Sequence, residues 1–117
     1  MVQEVLSELQ ATKGVLASAL VAEDGFVVES TRAEKAPDLD FLGSAASTAL
    51  ASARALSQEL GRGEVEEVMV EYPEGPILLV PLEGGYLLVV LMDAMQSLGR
   101  VRFQLKKSVP RLKEALK

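Results

Sequence analysis

The stretch "LGSAASTALASARALSQELG", residues 42–61, decides how this 117-residue chain is read. From Ser44 to Ala55, ten of twelve residues are Ser, Ala or Thr, interrupted only by Leu50 and Arg54. The pattern predicts one long helix over about 39–61 that stops at Gly61 or Gly63. On a helical wheel Leu42, Ala45, Ala46, Ala49, Ala53, Leu56 and Leu60 share a stripe roughly 100° wide, the side expected to cover the chain's own sheet. On the far side Gly43, Ser47, Ala51 and Ala55 recur four residues apart, flanked by Ser44 and Thr48. A surface helix normally carries Lys and Glu there. Alanine's helix preference does not account for the row, because Gly, Ser and Thr weaken a helix rather than strengthen it. Minimal side chains on an i±4 ridge let another helix approach closely. The simplest partner is a second copy of the chain in an isologous dimer.

The flanking segments supply the sheet and its other helices. Val2, Val5, Leu6 and Leu9 repeat at helical spacing, so residues 2–11 are expected to be an amphipathic helix. "VLASALV" (15–21) and "FVVES" (26–30) around Asp24-Gly25 read as a hairpin. Pro37 and Asp38 suit the start of the long helix. "EVEEVMVEY" (64–72) alternates, with Val68, Val70 and Tyr72 on one side. "ILLVPL" (77–82) and "YLLVVLM" (86–92) are apolar on both faces, as central strands covered from both sides are. A last helix over about 97–116 carries the stripe Leu98, Val101, Leu105, Val109, Leu112 and Leu116, with a kink or break expected near Ser108–Val109 ahead of Pro110. The expected fold is α/β of the α+β type, in the order α-β-β-α-β-β-β-α. A five-stranded antiparallel sheet carries the long helix on one face and the other two helices on the opposite one, all in a single domain spanning 1–117.

The 64–72 strand is expected at a sheet edge, where its unpaired backbone groups could meet the same strand of a second copy. The predicted dimer surface is therefore Gly43, Ser44, Ser47, Thr48, Ala51, Ala55, Val68, Val70 and Tyr72. Glu64, Glu66, Glu67 and Glu71 work against strand pairing, since like charges opposed across strands repel.

Bulk composition removes several function classes. With no His and no Cys, the usual general base, thiol nucleophile and zinc ligands are missing. The absence of Asn and Cys resembles thermophile composition. The longest apolar run, residues 86–92, is too short to cross a bilayer, and the acidic N-terminus does not read as a signal peptide, so a cytoplasmic protein without membrane insertion is expected. "GRGEVEE" (61–67) places Glu66 where a dinucleotide fingerprint needs glycine and precedes a strand. Asp38 and Asp40 read as helix-capping acids, and Asp93 as a cap on the approach to the last helix. No catalytic residue, cofactor or metal site is expected, and no enzyme.

Charge is unevenly placed. Residues 1–99 hold 5 basic and 16 acidic side chains, whereas residues 100–117 hold 7 basic and one acidic. The body would repel nucleic acid, and no nucleic-acid partner is expected. On the last helix Arg100, Lys107 and Arg111 lie opposite the apolar stripe with Phe103 among them. Two readings stay open for this face: a solvated surface, which is favoured, or a surface for an acidic protein partner.

The chain resembles the Roadblock family (dynein light chain roadblock type), in particular its bacterial MglB-like members. The resemblance rests on "GVLASALVAEDGFVVES", the Ala/Ser-rich central helix, "YLLVVLMD" and "LGRVRFQLKKSVPRL", and runs over nearly all of residues 2–116. It implies a profilin/Roadblock-like domain that homodimerises by packing central helices together and joining third strands. Such domains are not enzymes; they bind or regulate Ras-like small GTPases, MglA-like ones included, or serve as scaffold subunits. The implied function is a homodimeric regulator of such a GTPase, with a structural scaffold or polarity module as the alternative.

Overall fold

The computed structural model describes residues Met1–Lys117. Helix α1 (Val2–Gln10) is followed by the hairpin β1 (Val15–Ala22) and β2 (Val27–Arg32), then α2 (Leu42–Leu60). Strands β3 (Val68–Val70), β4 (Ile77–Leu82) and β5 (Tyr86–Met92) follow, then one 3₁₀ turn (Met95–Ser97) and α3 (Leu98–Ala115). The strands form one antiparallel sheet in the order β2-β1-β5-β4-β3. The element order, the sheet and the division of helices between its faces are those expected.

Two apolar layers sandwich the sheet. On one side α1 and α3 bring Val5, Leu6, Leu9, Val101, Leu105 and Leu112 onto Leu20, Leu78, Leu88 and Val90. On the other, Ala46 and Leu50 of α2 meet Ala17, Ala19, Leu79, Leu87 and Val89. The two buried serines are paired: the Ser18 and Thr31 hydroxyls are 2.9 Å apart, and Gln104 Nε2 donates to Ser108 Oγ at 3.0 Å.

Three local expectations are corrected. Helix α2 starts at Leu42, not 39, because Asp38 Oδ1 accepts the Asp40 N–H at 2.9 Å and holds 38–40 in a turn; no side chain caps the helix. Helix α3 runs unbroken through Pro110. The carbonyl that loses its partner there belongs to exposed Lys106, where water can satisfy it, and buried Val101, Leu105, Ser108 and Leu112 hold the helix on the sheet.

Strand β3 shrinks from the expected 64–72 to three residues, and its neighbour explains why. The Met92 N–H donates to the Pro76 carbonyl at 3.0 Å, which fixes Pro76, Leu78, Val80 and Leu82 as the β4 residues that bond to β5. Ile77, Leu79 and Pro81 therefore aim their backbone groups at β3. Val70 and Val68 take the first two places, and the same register would set Glu66 opposite Pro81. Proline has no N–H to give, and the ladder ends. At its other end β3 runs into a turn closed by the Gly75 N–H on the Tyr72 carbonyl at 3.0 Å, so Tyr72 lies beyond the strand.

Candidate interaction surfaces

The position of α2 is set by the tip of the first hairpin. Gly25 turns the chain with φ 98°, and a Cβ there would lie 3.0 Å from Ser44 Cα. A Cβ on Gly43 would collide with the Gly25 carbonyl oxygen. Ser47 Oγ donates to the Glu23 carbonyl, and Arg54 forms an ion pair with the Glu23 carboxylate. Helix α2 is thus strapped along one side to the β1–β2 turn.

This corrects the placement of the small-residue row. Gly43 is buried and Ser47 is half-buried against the chain's own hairpin, whereas Ala51 and Ala55 are exposed. Each step of four residues advances about 40° around the axis, so three steps carry the row from the inner side of α2 to its outer side. The sheet-facing residues are Gly43, Ala46 and Leu50, a stripe rotated by roughly 80° from the one read on the wheel. Leu56 and Leu60, expected in the core, are 63% and 65% exposed.

The outer side of α2 presents Ser44, Thr48, Ala51 and Ala55 along its middle. Thr48 Oγ1 donates to the Ser44 carbonyl at 3.0 Å, so its hydroxyl is satisfied within the helix. Phe41, 88% exposed, stands before the first turn, and Leu56 and Leu60 stand at the last. Phe41 escaped the sequence reading, although its place next to "DLD" at a helix start was a signal for exposure. Beside this surface lies the free edge of β3. Val68 packs partly onto the α2 layer, Val70 is half-buried, Met69 is exposed and Tyr72 is half exposed on the following turn.

On the opposite layer α3 turns Arg100, Phe103 and Lys107 to solvent, with Lys107 Nζ 4.7 Å from the centre of the Phe103 ring. Arg111 does not join them freely, being half-buried and ion-paired with Glu8 of α1. Arg102 pairs with Glu67, whose hydrogen bond and charge hold the guanidinium pKa above its ordinary value despite slight desolvation. Asp93 does not act as a cap; its backbone N–H donates to the Gly14 carbonyl at 2.9 Å. No group of three or more His, Cys, Asp or Glu side chains is placed to hold a metal ion, and no helix is long and apolar enough to cross a membrane. Where the β4 edge is left unpaired an open groove of about 1310 Å³ runs between the end of α2, residues 61–66 and α3.

Residues 1–92 match the family model of the Roadblock/LC7 domain. The chain belongs to the Roadblock/LC7 family. An uncharacterized protein of Methanocaldococcus jannaschii is 35% identical to this Roadblock chain over 113 residues, covering 97% of each. Among solved structures, the gliding protein MglB of Thermus thermophilus superposes with a TM-score of 0.85 at 25% identity, over 97% of this chain and 86% of that one. MglB of Myxococcus xanthus shares the fold with a TM-score of 0.88 at 23% identity, over 97% of this chain and 93% of that one. Roadblock/LC7 domains of this type are in general non-catalytic regulatory domains.

Proposed function

We propose that this Roadblock protein is a homodimeric, non-catalytic regulator of a Ras-like small GTPase of the MglA kind. The observation that supports it most is the outer side of α2, where exposed Ser44, Thr48, Ala51 and Ala55 run along the middle and exposed Phe41 stands at the start. Two such helices side by side and antiparallel are self-complementary, because their small middles can approach closely. The interface is then Ser44, Thr48, Ala51 and Ala55 with the β3 edge at Val68 and Val70 and Tyr72 on its rim. Gly43 and Ser47 drop out of it, being engaged within the protomer. The short ladder also eases the charge objection, since Glu64, Glu66, Glu67 and Glu71 all lie outside Val68–Val70.

The likeness to MglB supports a regulator that works by holding the GTPase's switch segments in a geometry competent for hydrolysis, rather than by supplying a reacting group. GTP hydrolysis by a cognate Ras-like GTPase, followed with and without this protein, tests the reading, and acceleration is expected. Unchanged rate with no binding refutes it. Binding at unchanged rate makes the protein a scaffold instead. The dimer has a separate readout. Ala51→Glu places two unpaired charges near the twofold axis, at a cost of several kcal/mol, and sedimentation should show monomers. An unchanged mass would remove α2 as the interface.

A further inference from the structure

The cations of α3 are arranged in a way that solvation does not explain. The helix has no acidic residue in its first turn and places Arg100 there, against the positive end of the helix dipole. Arg102 and Lys106, and Lys107 and Arg111, are like charges four residues apart, each pair destabilising to a helix. A merely solvated helix intersperses glutamates at that spacing; here the first is Glu114. Internal ion pairs engage Arg102, Arg111 and Lys117, while Arg100, Lys106, Lys107 and Lys113 have none.

These free cations border an apolar ridge. Phe103, 62% exposed, and Pro110 lie seven residues apart, about 20° from each other around the axis and directly opposite the buried stripe. Arg100 and Lys107 flank the ridge on one side, Lys106 and Lys113 on the other. The basic strip is one helix wide, because the neighbouring α1 offers Glu4 and Glu8 and no cation. A flat anionic bilayer would meet those carboxylates too; a single polypeptide segment would not.

We propose that the outer face of α3 is a docking surface for an acidic segment of a partner protein, one that sets an apolar side chain on Phe103 between two rows of carboxylates. The surface lies across the sheet from α2, so it is separate from the proposed dimer surface.

The test uses the full chain and a fluorescein-labelled peptide of Glu and Leu as long as α3, 18 residues, with its Lys–Leu counterpart and phosphatidylserine-containing vesicles as comparison probes. Fluorescence anisotropy should show saturable binding of the acidic peptide that weakens as salt rises. The double substitution Lys106→Glu and Lys107→Glu, on exposed positions whose fold circular dichroism can verify, should remove it. Phe103→Ala, at unchanged net charge, should weaken it about tenfold. No binding by the unaltered protein, or binding retained by the double variant, overturns the proposal. Equal binding by Phe103→Ala reduces the surface to unspecific charge attraction and overturns it as well, as does tighter binding to the vesicles than to the peptide.

Discussion

The two faces of the sheet are built to different ends. On the α1/α3 side, fourteen buried residues form the layer and none is alanine. On the α2 side there are ten, and Ala17, Ala19, Ala36 and Ala46 are among them. Large side chains interlock and close the first layer completely. Small ones let α2 settle low over the hairpin, and the rotation that brings Gly43 against Gly25 turns Leu56 and Leu60 at the far end out of the layer. The first face is closed by its own helices; the second leaves a strip of small residues exposed on α2.

The sharpest way to break this contrast is to truncate one leucine on each side. Leu112 is fully buried among large neighbours that cannot relax into a hole, so Leu112→Ala should cost about 3–5 kcal/mol. Leu50 is as well buried, but the slim helix that carries it can subside onto the alanines below, and Leu50→Ala should cost about 2–3 kcal/mol. Urea unfolding at one fixed protein concentration measures both. Equal losses would mean that the alanine-rich layer is as rigid as the leucine-rich one.

Gly43→Ala isolates the close approach itself. At an open helix position the change should stabilise by up to about 1 kcal/mol. Here the new methyl meets the Gly25 carbonyl, a backbone atom that cannot swing aside, and a loss of about 1–3 kcal/mol is expected. A gain in stability on thermal or urea unfolding would show that α2 does not ride on the hairpin.

The same asymmetry decided what could be read from the sequence. Strands β4 and β5 were legible to the residue, since continuous apolar runs stand between "PEGP" and "EGG". The α1 and α3 stripes were legible because leucine and valine contrast strongly with Glu, Lys and Arg. In α2 the contrast between Ala, Ser and Gly is small, so the wheel pointed to the scattered leucines. The true inner side is chosen by a contact between Gly43 and Gly25 that no local pattern announces. The basic face of α3 showed in the charge count alone, but not that Arg111 is taken up by Glu8, 103 residues away. The shortness of β3 was hidden for a related reason: its cause, Pro81, is on the neighbouring strand.

That cause gives the smallest predicted effect and a test of where the two faces meet. Beyond Val68 the edge of β4 is open, and elements of both layers, Ser57 from α2 and Val109 from α3, line the same groove around it. Pro81→Val would supply the missing N–H opposite Glu66 and favour the pleated backbone. A gained ladder bond, about 0.5–1.5 kcal/mol, opposes the lost restriction of the unfolded chain, about 0.4–1 kcal/mol, so net stability should shift by less than about 1 kcal/mol. Hydrogen exchange is the more telling readout. The new amide at position 81 should be protected as β3 lengthens towards Glu66. If it exchanges freely, the strand ends for another reason, and the tie from Glu67 to Arg102 on α3 is then the first candidate, because it draws the chain towards the closed face just where the ladder stops.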